Sequence, residues 1–165
     1  MHIVTKVLGG YHLEKRFTVR RDDRALPRED CWQLLNETNV GRLGLCTPDG
    51  SPYIVPLNHV VCENEIFFHC ARSGRKLDII RQNPQVCYEV DSLLGIITGI
   101  KACNFGAYYR SAIAFGEAYE VINPEEKAAV LNKLTAKNAS SCQSYLPVTP
   151  EDATMVTVIG IKIKA

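Results

Sequence analysis

No stretch of this chain approaches the ~20 consecutive apolar residues that a membrane-crossing helix requires. The first ten residues also lack the long apolar segment of a secretory leader, so the expected compartment is the cytoplasm. An excess of charge of one sign is missing too. The 19 Lys and Arg are balanced by 18 Asp and Glu, leaving a formal net charge of +1. That balance supplies no bulk attraction to nucleic acid or to an anionic membrane. There are 7 cysteines, but none form a Cys-x-x-Cys pair, and the count is odd. Cys46, Cys70 and Cys87 sit in apolar strand-like runs, where a reduced thiol acts as a small hydrophobe. The pattern argues for a reducing compartment over a disulfide framework. A zinc site built on His69, Cys70 and Cys62 is disfavoured, because adjacent strand residues point to opposite faces. The expectation is therefore no metal.

Several catalytic signatures are absent as well. Gly74 is followed by Arg75-Lys76-Leu77, which lacks the Ser or Thr and the earlier glycine of a nucleotide-hydrolysing loop. There is no G-x-G-x-x-G turn for a dinucleotide, and no G-x-S-x-G nucleophile elbow. Neither internal repeats nor low-complexity segments are visible.

What is present suits one soluble domain. The 165 residues are 46% apolar and 22% charged, enough to bury a core without staples. Residues 1–26 read as an N-terminal arm or edge strand, with a partner-packing arm as the sharper reading. Residues 27–165 read as a single domain. Pro27 opens a helix over 27–39. Strands follow at 41–47, 53–61 and 66–70, separated by turn residues at 48–51 and 63–65. A short helix is expected over 74–82, ending at Asn83-Pro84, and a fourth strand over 86–90. Residues 92–105 carry no clear assignment. A long strand is expected over 108–121, with a bulge at Gly116. Asn123 caps an amphipathic helix over 123–137. A polar loop, a helical turn from Thr149 and a last strand over 155–163 complete the chain. Sequential antiparallel strands with inserted helices define an α+β fold built on a barrel.

The most informative segment runs from Ile66 to Asp78. A buried strand ends in His69, turns, and opens a helix with Arg75 and Lys76 in its first turn. Free N–H groups and the positive end of the helix dipole lie there. Adding two cations makes a site for a phosphate monoester, with Ser73 as the expected cap. The bland alternative is a pair of solvated cations, which the dipole opposes. Pro56 removes a ladder donor from the second strand and leaves that edge open. Asn58, on the same face, has the donors and acceptors to meet a heterocycle. Arg110 and Ser111 offer further donors within the aromatic run 108–116, although that run also reads as ordinary core.

In order and spacing, these segments resemble the pyridoxamine 5′-phosphate oxidase-related flavoproteins, and most closely the nitroimidazole-resistance branch. The matching text is Gly41-Arg42-Leu43-Gly44-Leu45, Pro52 to Asn58, Phe67-Phe68-His69-Cys70-Ala71 and Gly74-Arg75-Lys76-Leu77-Asp78. It continues through Asn83-Pro84-Gln85-Val86-Cys87 and Tyr109-Arg110-Ser111. The resemblance implies an antiparallel six-stranded split β-barrel that binds FMN at a homodimer interface. It assigns the FMN phosphate to Arg75 and Lys76. It lays Val55, Pro56, Leu57 and Asn58 along the flavin, and sets His69, Cys70 and Ser111 at the ring. It also implies an FMN-dependent oxidoreductase acting on a small organic, nitroaromatic-type substrate, with NAD(P)H or another reductant as donor. His69 is the candidate catalytic residue, and packing on the ring is its structural alternative. Gly160 to Ala165 lack the Arg–His pair expected of a pyridoxamine phosphate oxidase proper, so pyridoxal phosphate synthesis is not expected. A non-catalytic flavin- or haem-binding protein is the second reading. A nucleic-acid binder using Lys15, Arg16, Arg20 and Arg21 is the third, and the charge balance opposes it.

Overall fold

The alternation in Val40–Cys46 sets the tone of the fold: Gly41, Leu43 and Leu45 are buried, while Val40, Arg42 and Cys46 are exposed. That period of two defines a strand with one face on a core. The structure is a computed structural model and describes residues 21–139 and 144–164, together with the backbone of residues 3–8. Its strands are β1 (Ile3–Leu8), β2 (Val40–Cys46), β3 (Pro52–Asn58), β4 (Val60–Cys62), β5 (Glu65–Cys70), β6 (Gln85–Ile97), β7 (Gly106–Glu120) and β8 (Thr157–Ile163). The helices are α1 (Arg28–Glu37), α2 (Arg75–Gln82) and α3 (Pro124–Asn138). Lys15, Arg16 and Arg20 lie outside the described residues, as does Cys142.

The strands form one curled sheet in the order β3-β2-β6-β7-β8-β5-β4. Every pairing along this path is antiparallel. The fold is the split barrel that the family resemblance implies, with helices packed around it. One edge of β7 is shared: Tyr109–Ala114 accepts β1 in parallel, and Gly116–Glu120 pairs with β8. The strand count exceeds the expected six for two reasons. Part of the N-terminal arm, β1, joins the sheet, and the expected strand over 53–61 breaks at His59. The pieces of that strand, β3 and β4, sit at opposite ends of the path. The barrel is thus bridged by a turn of chain at His59, not by hydrogen bonds.

Two further local expectations differ from the structure. Gly116 is no bulge, since its register runs unbroken to Val86 and Ile163. A Cβ there would lie 2.5 Å from the Lys162 carbonyl oxygen, so close strand approach is what requires glycine. The irregularity lies across the hairpin, between Leu93 and Gly95. The unassigned run 92–105 is the outer end of β6 followed by a 3-10 turn, Ala102–Asn104.

Two cores position the site. Leu43, Phe68, Tyr88, Ala112 and Ile161 fill the barrel, together with Leu34 of α1 and Leu77 of α2. A second cluster packs α3, through Leu131 and Leu134, on Phe67 and Val158 outside the barrel. The strand β5 is therefore buried on both faces along most of its length, as its apolar run Ile66-Phe67-Phe68 requires. Asn123 caps α3 by accepting from the Glu126 N–H at 2.9 Å, a contact worth about 1 kcal/mol.

Candidate functional site

Strand alternation divides the end of β5. Phe68 and Cys70 point to the barrel side, and Phe67 and His69 to the α3 side. Each face opens into its own cavity. On the Cys70 side a cavity of about 170 Å³ is lined by Tyr53, Ser73, Gly74, Arg75 and Lys76. On the His69 side a cavity of about 430 Å³ is lined by Asn58 of β3, by Leu131, Leu134 and Thr135 of α3, and by Val156.

The smaller cavity is the candidate phosphate cradle. Ser73 does not cap α2 as expected; Gly74 holds that position with φ 133°, a conformation that side chains rarely adopt. No side-chain cap serves α2 among the described residues, so the N–H groups of its first turn keep their donors. The Arg75 guanidinium lies 4.8 Å from the centre of the Tyr53 ring. The Lys76 ammonium lies 5.5 Å from that of Phe68. These aromatic contacts hold both cations near the helix terminus. Two cations, uncapped N–H groups and the Ser73 hydroxyl form a donor set that fits a phosphate monoester.

His69 is solvent-accessible at the mouth of the larger cavity. Partial burial, and then the charge of Lys76, lower its pKa below the usual histidine value. At neutral pH the ring is uncharged and offers one donor and one acceptor. Cys70, half-buried, has its pKa raised, first by burial and against the pull of Lys76. The thiol stays protonated at neutral pH.

The remaining sequence-selected residues are placed as follows. Val55 and Leu57 turn inward and pack on the barrel core. Pro56 is exposed on the free edge of the sheet, since β3 pairs only with β2. Asn58 donates to the Asn39 carbonyl at 3.0 Å and to Asn138 Oδ1 at 3.2 Å, which ties β3 to α3. Ser111 is buried on β7 and lines neither cavity. Arg110 donates to Glu37 at 2.8 Å, joining β7 to α1. The chain thus brings Arg75, Lys76 and Cys70 together, and separately His69 and Asn58.

Two contributors were not singled out from the sequence. Tyr53 lies two residues before Val55, so its inward direction follows from the strand period. The α3 face carries no comparable signal, because its distance from His69 along the chain hides the contact.

A curled antiparallel sheet, open between β3 and β4 and packed with helices, defines the split-barrel class of fold. The sequence matches the Pyridoxamine 5′-phosphate oxidase family over residues 27–165, and the chain belongs to that family. Solved structures share the fold. A candidate 5-nitroimidazole antibiotic resistance protein from Bacteroides thetaiotaomicron superposes with a TM-score of 0.69 at 19% identity, covering 84% of this chain and 81% of that one. The flavocytochrome Anf3 from Azotobacter vinelandii gives 0.76 at 21% identity, covering 91% of this chain and 71% of that one. An FAD-binding protein from Mesorhizobium loti gives 0.62 at 22%, covering 85% and 91%. At such identities the likeness establishes the fold alone. No curated protein matches the sequence. No helix among the described residues is long and apolar enough to cross a membrane.

Proposed function

We propose that the protein is an FMN-binding oxidoreductase that reduces a small organic, nitroaromatic-type acceptor, with NAD(P)H or another reductant as donor. The observation that carries this reading is the cradle at α2, where Arg75, Lys76 and the uncapped helix terminus converge beside Tyr53 and Cys70. A bound flavin would supply the electron transfer. Arg75 and Lys76 would hold its phosphate. The free edge of β3 at Pro56 would leave backbone groups for the flavin ring. His69 would orient the substrate by a hydrogen bond from its ring N–H or, when protonated, donate a proton that the reduced acceptor takes up. The larger cavity, with its apolar α3 wall, would receive the substrate.

The working unit in this reading is a cytoplasmic homodimer. Leu93, Leu94, Ile96 and Phe105 are each more than half exposed on the outer part of the β6–β7 hairpin. Apolar residues gathered in this way are characteristic of association surfaces.

The visible spectrum of the purified protein is the test. Flavin bands that NAD(P)H bleaches, and that a nitroaromatic acceptor restores, are the expected result. A colourless protein that takes up no added flavin would rule out the proposal. A stable chromophore that no donor and acceptor pair turns over would assign the chain to the storage or sensing reading. The flavocytochrome among its structural neighbours is the observation that favours that alternative.

A further inference from the structure

The cavity beside His69, at about 430 Å³, falls within the roughly 300–1,000 Å³ of small-molecule sites. Leu131, Leu134, Val148 and Val156 form its apolar wall. Its polar groups are Asn58, His69, Thr135, Asn138 and Asp152. Most of the donors on these side chains are already engaged. The Asn58 amide nitrogen donates to the Asn39 carbonyl and to Asn138 Oδ1. The Thr135 hydroxyl donates to the Leu131 carbonyl at 3.0 Å, and the Asn138 amide to the Leu134 carbonyl at 2.8 Å. The capacity left over is mainly that of acceptors, Asn58 Oδ1 and the Thr135 oxygen among them. One N–H of Asn138 and one of His69 remain as donors.

Asp152 adds a charge to this wall. Its Oδ2 accepts from the Thr149 N–H at 3.0 Å and from the Thr149 hydroxyl at 2.7 Å. These bonds, the backbone one first, hold the carboxyl below its usual pKa, so it is ionised at neutral pH. They also fix its position at the start of the helical turn Asp152–Met155. Among the described residues no cation acts on this carboxylate. The Lys76 charge is felt at His69, and the Lys137 ammonium is turned to the Leu35 carbonyl.

An acceptor-rich wall with one unpaired carboxylate suits a ligand that carries N–H donors and positive charge. A nitro group only accepts, and the His69 N–H is its donor here. Resting on the reading above that this cavity receives the substrate, we propose that the substrate is an organic cation, a nitroaromatic bearing a protonated amine that Asp152 holds. The apolar α3 wall packs on its ring, and an anionic analogue is rejected by the same carboxylate.

Three probes that differ in one group test this: 4-nitrobenzylamine (a cation at neutral pH), 4-nitrobenzyl alcohol and 4-nitrobenzoate. Calorimetric titration of the native protein measures their binding without turnover. The amine is expected to bind about fivefold more tightly than the alcohol, the upper end for a solvent-exposed ion pair, with the benzoate weakest. Added salt is expected to narrow that gap. Asp152→Asn, whose amide oxygen can still accept from the Thr149 N–H, is expected to bring the amine and the alcohol together. Equal affinities in the native protein overturn the inference, as does a preference that either salt or Asp152→Asn leaves unchanged. Failure to bind any of the three overturns it as well. Reduction of the same probes by NAD(P)H tests the flavin reading separately. Turnover without a cation preference overturns the Asp152 site alone. Selective binding without turnover removes the oxidoreductase reading and upholds the cation site.

Discussion

His59 has no solvent exposure, and its Nε2 lies 2.7 Å from the Leu35 carbonyl. Lys137 donates to the same carbonyl at 2.9 Å and approaches His59 Nε2 at 3.4 Å. Burial, and then the Lys137 charge, lower the pKa of His59 to about 4. The Lys137 pKa falls to about 8, also through burial. An unfolded chain protonates a histidine near 6.5. The unfolded state therefore takes up the proton first as pH falls. The stability tied to the neutral ring is complete above pH 6.5 and is lost between there and about pH 4. Its size is on the order of 3 kcal/mol, at ~1.4 kcal/mol per pKa unit. Urea midpoints measured from pH 7.5 to 4.5 should fall steeply for the native chain and less so for His59→Gln. Parallel slopes would remove His59 as the cause. For His69, the expected outcome of His69→Ala is retained flavin with turnover lowered by ~10²–10⁴, the usual range for a proton-handling side chain. Steady-state rates alongside the flavin spectrum decide this, and unchanged turnover leaves His69 a packing residue.

At the scale of elements, most of the secondary structure is readable from pattern. The Asn123 cap, the Pro27 start, the two-residue period of β2 and the turn at Glu63-Asn64 each act over a few residues. Positive φ at both Glu63 and Asn64 forms the tight hairpin between β4 and β5. Errors arise where the cause lies elsewhere in the chain. Gly116 looks like a bulge in its own segment, yet the Lys162 carbonyl opposite is what forbids a side chain. Gly116→Ala should then destabilise the fold by about 1–3 kcal/mol, the usual range for overpacking. Chemical denaturation would measure it, and a neutral effect would mean that β8 can shift freely. Ser73 reads as a cap because it is the residue type that caps, but the chain turns one residue later through Gly74. The cationic cradle itself was legible, since Arg75 and Lys76 need only the helix that follows them. Its partition from His69 was legible in principle from strand alternation. The α3 wall of the His69 cavity was not, because that contact depends on how the helix docks.

For the whole molecule, the open question is assembly. The outer β6–β7 hairpin extends beyond the short pairing of β2 with β6, which covers only Arg42–Gly44. Its exposed Leu93, Leu94, Ile96 and Phe105 have no cover among the described residues. Replacing Leu94 and Ile96 with Glu should shift the protein from dimer to monomer in sedimentation, and weaken flavin retention if the site spans two subunits. A native protein that sediments as a monomer would refute the dimer.

By itself, the sequence determined the class of fold, the run of strands and helices, and the cationic terminus of α2. These depend on periodicity, turn chemistry and capping, which act within a few residues of their cause. Only the tertiary structure decided the break at His59, the close approach of Lys162 that requires glycine at position 116, and the α3 wall of the His69 cavity. Those depend on the curl of the sheet and on the docking of α2 and α3, which bring together residues far apart in the chain.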